Sequence, residues 1–240
     1  MALSAPVAFV ITGAANAAML ALAVLARKRG ISRHTSRKLM HLWTGPVFVL
    51  CWPLFDETAY GWVAAVPLVS AVVFALVGSG RAGRYAAQLV DTVSRSGHRQ
   101  ELLEGPLLYG IVHACLPLLY GHRNAPSAVH AVVALCIGDG VADIFGRSAT
   151  LRLPWNKRKS VRGTTSFFLA SVLVQLVLGR LLLFELGSVP VCVTLVSMLS
   201  SALAESLIST AADNVIVPLV ALFVSHLLLS MLGRESTRLW

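Results

Sequence analysis

Residues 125–146 read Ala-Pro-Ser-Ala-Val-His-Ala-Val-Val-Ala-Leu-Cys-Ile-Gly-Asp-Gly-Val-Ala-Asp-Ile-Phe-Gly, and residues 147–163 continue Arg-Ser-Ala-Thr-Leu-Arg-Leu-Pro-Trp-Asn-Lys-Arg-Lys-Ser-Val-Arg-Gly. The first part is long and apolar enough to cross a bilayer, which takes about 20 residues as a helix. It ends in two carboxylates, Asp139 and Asp143, set among glycines, and a dense cationic loop follows. Charge is costly within or beside a membrane, so charges kept there invite a functional reading.

The surrounding chain agrees. Of 240 residues, 56% are hydrophobic and 13% charged, with mean hydropathy +0.75. A soluble domain would carry about 25% charged residues. The fold class expected is all-α, a polytopic transmembrane helix bundle of about eight spans, within a range of seven to nine, forming a single integral-membrane domain over 1–240. Candidate spans are 5–26, 39–55, 58–78, 105–121, 125–146, 163–184, 188–209 and 214–233. The amino terminus reads as a spanning helix rather than a cleaved signal peptide, and no transit peptide is evident. Four cysteines (Cys51, Cys115, Cys136, Cys192) lie in apolar segments without metal or disulfide spacing, and read as small core residues. Polar segment 81–104, with Tyr85, Leu89 and Val93 at helical spacing, fits an interfacial amphipathic helix.

The net charge of +9 is concentrated in loops. Loop 27–38 holds six cations and loop 147–162 another six, whereas the alternate connections, at Asp56-Glu57, His122-Arg123 and Gly187, are poor in them. This asymmetry places the basic loops on the cytosol-like side. Asp213, and Glu205 one turn inside the preceding span, fall on that same face. The excess suits membrane topology and a polyanionic ligand together; no nucleic-acid partner is expected.

Asp139 and Asp143 are i, i+4 and share a helix face. Such a pair repels unless a cation sits between. Hard oxygen donors suit Mg²⁺, which takes one or two carboxylates together with substrate phosphates. Gly138, Gly140 and Gly146 admit close backbone approach. The competing reading is a helix end where one Asp caps and the other pairs with Arg147. Asn156, Lys157, Arg158, Lys159, Ser160, Arg162 and Gly163 form a phosphate-type loop of point charges, guanidinium forks and neutral donors, with Thr164 as a cap for the next helix. Arg37, Lys38 and His41 offer a second phosphate contact. Glu205 needs a partner, either a loop cation or a second metal, with Asp213 a further metal ligand. His113, His130 and His226 read as core histidines.

These blocks resemble the membrane-embedded polyprenol kinases, the phytol, farnesol and dolichol kinases. The residues that carry the likeness are Arg37-Lys38-Leu39-Met40-His41 with Gly45, Gly138–Arg147, Pro154–Gly163, and Glu205-Ser206-Leu207 with Asp213-Asn214 and Val217-Pro218. Leu50–Phe55 and Glu101–Leu107 are similar to the phytol kinases in particular. The likeness covers about residues 33–220. This chain departs from the family pattern at Ser148-Ala149-Thr150, where another glycine is usual, and at Ile208 and Ala212.

The resemblance implies CTP-dependent phosphorylation of phytol, or a related prenyl alcohol drawn from the bilayer, in chloroplast membranes on the way to tocopherol. It assigns Asp139, Asp143, Lys159 and Glu205 as catalytic, with Mg²⁺ on Asp139, Asp143 and Asp213. Arg37, Lys38, His41, Gly138, Gly140, Gly146, Arg147, Asn156, Arg158, Lys159, Ser160, Arg162 and Gly163 would bind nucleotide phosphate. Membrane lipid is the remaining partner. The alternatives are a farnesol or dolichol kinase, a related CTP-using lipid transferase, and a small anion transporter. A transporter would show charge on both faces. A CDP-alcohol phosphotransferase would need further Asp residues after Asp143, and none occurs between Ile144 and Phe184.

Overall fold

The computed structural model describes residues 2–56, 58–83, 86–120, 126–181 and 189–233. The connections at Glu57, His122-Arg123 and Gly187, and the Tyr85 position of the amphipathic pattern, lie outside them. Among the described residues there is no strand beyond one isolated bridge. The helices are α1 (Ala5–Lys28), α2 (Arg33–Leu50), α3 (Tyr60–Gly78), α4 (Ala86–Val93), α5 (Gly105–Tyr120), α6 (Pro126–Val133), α7 (Asp139–Gly146), α8 (Val161–Leu181), α9 (Val191–Leu207) and α10 (Asp213–Met231). A π-helical segment, Ala134–Gly138, joins α6 to α7. The chain divides into two compact units, residues 1–118 and 119–240.

Six helical segments are long and apolar enough to cross a membrane: Ala5–Lys28, Tyr60–Gly78, Arg99–Tyr120, Pro126–Gly146, Val161–Leu181 and Asp213–Met231. α9 is a shorter apolar helix. These seven coincide with seven of the eight expected spans. The eighth, expected over 39–55, is α2, which begins earlier and ends sooner. Ser32 accepts a hydrogen bond from the Thr35 backbone N–H at 3.2 Å and so starts the helix at Arg33. Pro53 has no backbone N–H to continue the α-helical ladder, and the chain passes into a 3₁₀ turn, Trp52–Leu54. The resulting first half of α2 is cationic. Helix ends elsewhere follow ordinary stop chemistry: Gly30, at φ +91°, closes α1 with Ile31 N–H to Ala26 O and Gly30 N–H to Arg27 O, both at 3.1 Å.

The first unit packs α1 against α2 and α3, with α4 alongside α2. Phe74, Val77, Val93 and Leu102 form a buried cluster. The segment expected as one amphipathic helix over 81–104 is broken into α4 and a 3₁₀ turn, Arg99–Leu103. The break has a local cause. The Glu101 carboxylate accepts from the Ser96 hydroxyl and from the backbone N–H groups of Arg95 and Ser96, and Gly97 takes φ +95°.

The second unit sets α6, α7 and the π-helical segment against α8, α9 and α10. Its core is Ala134, Ala142, Phe167, Met198, Ala202, Val217 and Ala221. The exterior is apolar as well as the core. Leu169 and Leu173 face outward on α8, while Ser171 and Gln175 of the same helix are buried. An apolar exterior with small and polar residues turned inward is the arrangement a lipid environment selects. The four cysteines are free; Cys136 is buried, whereas Cys115 and Cys192 are exposed rather than in the core.

Candidate functional site

The site is assembled in the second unit from four pieces: α7, the loop before α8, the end of α9 and the start of α10. The π-helical turn directly precedes Asp139. Such single-turn bulges re-aim the residues that follow and recur at functional sites. Asp139 and Asp143 then lie one turn apart on α7, both partly accessible. Arg147 Nη2 lies 3.8 Å from Asp143 Oδ1, a loose i, i+4 pair with Arg147 well exposed.

Glycines let these pieces approach. A Cβ on Gly138 would overlap the Phe167 ring of α8. At the far end of α7, Gly146 and Gly163 meet: a Cβ on Gly146 would come within 2.9 Å of Ser160 Oγ, and one on Gly163 within 2.9 Å of the Ala142 carbonyl. The structure therefore shows a packing use for Gly138, Gly146 and Gly163. Gly140 is buried in α7.

Loop 147–160 is a tight, pinned structure. Leu153 N–H donates to Lys159 O at 3.1 Å and Val161 N–H to Leu151 O at 3.2 Å, around the Arg152–Ser160 bridge. Ser160, expected as a phosphate donor, is buried: its hydroxyl donates to Gly146 O at 3.2 Å and accepts from Gly163 N–H at 3.1 Å. It caps α8, the role expected of Thr164. Asn156 is likewise occupied, donating to Ser206 O at 3.0 Å and Ser209 Oγ at 2.9 Å while its own Oδ1 accepts from Arg158 N–H. Trp155 Nε1 donates to Ser206 Oγ at 3.2 Å. Trp155, Ser206 and Ser209 are positioning residues that sequence reasoning passed over. The Trp-Asn pair immediately before the cationic run was the available signal.

These clamps bring Lys159 to Glu205. The ammonium donates to Glu205 Oε1 in a nearly buried ion pair, the two side chains 18% and 4% exposed. Glu205 thus has the loop-cation partner its burial demanded. Burial pushes the Lys159 ammonium down, but the Glu205 carboxylate outweighs it, with Asp139 and Asp213 adding in the same sense, so the net shift is upward. The charges of Asp139 and Asp213 therefore reach the pair. Asp213 is the first residue of α10, and its Oδ1 accepts from Asn214 N–H at 2.8 Å. Around this centre Lys157, Arg158 and Arg162 are exposed, with the Arg162 guanidinium 5.7 Å from the Phe145 ring centroid.

Among the described residues, no three His, Cys, Asp or Glu side chains form a metal-ligand group. The donor set at α7 is two hard carboxylates. That fits Mg²⁺, whose remaining positions go to water and phosphate oxygens, and does not fit a structural zinc.

Arg37, Lys38 and His41 belong to the first unit. Lys38 is buried, and the His41 ring packs tilted against Tyr109 with centroids 4.7 Å apart. Tyr109 in turn shares a 2.8 Å hydrogen bond with Thr44 Oγ1 and packs tilted against His113 at 4.2 Å. His113 and His130 are buried and hydrogen-bonded within the core, as expected.

An all-helical protein with apolar spans, hard carboxylates and a clamped cationic loop has the make-up of a lipid-directed phosphotransferase. Comparison with known proteins narrows this class. The chain is 39% identical to a chloroplastic farnesol kinase of Arabidopsis thaliana over 78% of its own length and 63% of that protein's. It is 32% identical to phytol kinase 1 of Arabidopsis thaliana over 90% of its length and 74% of the relative's. It is 33% identical to a probable phytol kinase of Triticum aestivum over 91% and 75%. The chain belongs to the phytol and farnesol kinase family, phosphotransferases with an alcohol acceptor. No family model and no solved structure matches it.

Proposed function

We propose that this protein is a prenyl-alcohol kinase that transfers the γ-phosphoryl group of CTP to phytol, or to a related alcohol such as geranylgeraniol or farnesol. The observation that carries the reading is the clamped Lys159–Glu205 pair beside Asp139 and Asp213, rimmed by Lys157, Arg158 and Arg162. A long prenyl alcohol dissolves its tail in the bilayer and presents its hydroxyl at the polar edge. Helices with apolar exteriors beside a charged cluster suit that substrate. The relatives' names support the acceptor class, and their chloroplastic assignment supports a plastid membrane, where phytyl phosphate would feed tocopherol synthesis.

Phosphoryl transfer depends chiefly on positioning and electrostatics. Arg158, Arg162 and Lys157 meet the donor phosphates, their charge offsetting what develops as the γ-phosphorus leaves its bridging oxygen and bonds the alcohol oxygen. Lys159, held by Glu205, fixes the loop and adds its field. Asp139 and Asp143 would hold Mg²⁺, which supplies charge neutralisation on the phosphates when bound. A carboxylate of that pair takes the hydroxyl proton; Glu205, already salt-bridged, is the poorer base. Arg37, Lys38 and His41 we assign to nucleotide phosphate or acceptor positioning. A farnesol acceptor is the second reading, favoured by the 39% identity to a farnesol kinase.

The test is incubation of membranes containing the protein with γ-labelled CTP, Mg²⁺ and phytol, geranylgeraniol or farnesol. Label should enter a prenyl monophosphate, and competition among the alcohols ranks the acceptors. Absence of label from every monophosphate overturns the reading. Asp139→Asn should lower turnover about 100-fold or more while membrane insertion is retained; unchanged rates would remove Asp139 from the metal site.

A further inference from the structure

The loop before α8 treats its apolar residues in two ways. Leu153 is 4% exposed and fills the small core of the loop, whereas Trp155, two residues on, is 57% exposed. Leu207, the last residue of α9, is 68% exposed. Folding of the loop does not account for the open indole, because Asn156 and Lys159 already pin the loop to α9.

One hydrogen bond brings this apolar surface to the charged centre. Trp155 Nε1 donates to Ser206 Oγ, which lies between Glu205 and Leu207 in the chain. The Ser206 hydroxyl in turn donates to Leu203 O at 2.6 Å, so α9 itself holds the ring in place. The direction of the indole is informative. A tryptophan that anchors a protein in the headgroup layer keeps its ring in the apolar zone and offers its N–H to the wet side. The Trp155 N–H is turned into the protein instead, and what it presents outward is an apolar face fixed in position. A surface ordered in advance loses little entropy when a ligand settles on it.

A prenyl alcohol needs such a surface. Within the bilayer its tail gains nothing from leucines, since lipid chains are as apolar as they are. To place its hydroxyl at the charged centre, however, it must draw the carbons next to the hydroxyl out of the hydrocarbon. Those carbons then meet water and charge unless apolar side chains cover them, at a cost that rises with every methylene. We propose that the Trp155 ring and Leu207 form a subsite for the acceptor tail, covering the isoprene unit nearest the hydroxyl and so holding the alcohol oxygen beside the Lys159–Glu205 pair. The subsite rests on the prenyl-alcohol reading above and deepens it. It reads the hydroxyl-proximal unit, which phytol and farnesol share, and not the length of the tail beyond.

The test is photolabelling of the full-length protein in lipid nanodiscs, read by peptide mass spectrometry. The probe is farnesol with a diazirine on its hydroxyl-proximal isoprene unit, and a diazirine-bearing phosphatidylcholine is the control. The farnesol probe should label Trp155 and Leu207 about tenfold more than the outward-facing Leu169 and Leu173 of α8, and unlabelled phytol should suppress that labelling. The control lipid should favour Leu169 and Leu173. Farnesol label missing from Trp155 and Leu207, label that phytol does not displace, or equal labelling by both probes overturns the subsite; the last result would make Trp155 a lipid anchor. Kinetics give a second readout. Leu207 takes no part in the clamp, and Leu207→Ser should raise KM for farnesol and for phytol alike, by about tenfold, with KM for CTP unchanged. An active wild-type enzyme whose Leu207→Ser variant keeps its alcohol KM overturns the subsite and leaves the kinase reading standing. A wild-type protein that forms no monophosphate overturns the kinase reading, and the photolabelling still decides the subsite.

Discussion

Each unit contains a close contact between a carboxylate and a basic side chain, and the two differ in what surrounds them. In the first unit Asp91 of α4 meets Arg33 Nε at 2.7 Å and Arg27 Nε at 2.9 Å, with all three side chains 27–41% exposed. It ties the end of α1 and the start of α2 to α4, and Arg33 also donates to Ser96 O at 3.2 Å. In the second unit, Lys159 alone among the described residues holds Glu205, almost without solvent. Water screens the first cluster, so breaking it releases groups that hydrate readily. The second gains its strength, and its fragility, from the absence of water: remove one partner and the other is stranded. The exposed cluster acts as a staple, while the buried pair holds charge in place for chemistry.

The largest effect should come from stranding Glu205. Lys159→Met should destabilise the folded protein by about 3–5 kcal/mol, measured by chemical unfolding in detergent micelles. Adding Glu205→Gln should recover most of that loss, because the uncompensated charge is gone. A loss below about 1 kcal/mol would mean the pair behaves like the exposed cluster. Next in size is the packing beneath the site. Gly138→Ala sets a methyl group against the Phe167 ring and should cost about 1–3 kcal/mol. Phe167→Leu in the same chain should relieve it; no relief would mean that α7 and α8 separate instead.

Much of this contrast was legible in the sequence, for a physical reason. Charges are scarce in an apolar chain, so Asp139, Asp143, Lys159 and Glu205 stood out, and hydropathy alone located seven helices. Helix ends were less legible. The Ser32 cap and the Pro53 stop displace α2 from the expected 39–55, and the Glu101 hydrogen bonds break the expected helix at 81–104. Pairing was legible only as far as a loop cation for Glu205, not as a particular one. Six cations lie in loop 147–162, and nothing local selects Lys159, whose partner is 46 residues away. Ser160 reads as a phosphate donor, with Thr164 as the helix cap, until Gly146 and Gly163 are seen beside it.

The smallest effect separates the two regions by pH. The Arg33 hydrogen bond, aided by Arg27, holds the Asp91 carboxyl below its ordinary value of 3.8. A depressed carboxyl contributes stability that is present above 3.8 and is lost as pH falls through its lower, folded value. Lys159 has the opposite sign: its raised value means its contribution is present below 10.5 and is lost only as pH climbs through the higher folded value. Asp91→Asn should therefore flatten stability against pH only on the acid side, by less than about 1 kcal/mol, and the difference should shrink in high salt because the cluster is screened. Unfolding midpoints of the two proteins, compared between pH 3 and pH 7 at low and high salt, measure this. A salt-independent loss of several kcal/mol would show Asp91 to be as deeply committed as Glu205 and would erase the distinction between staple and charge holder.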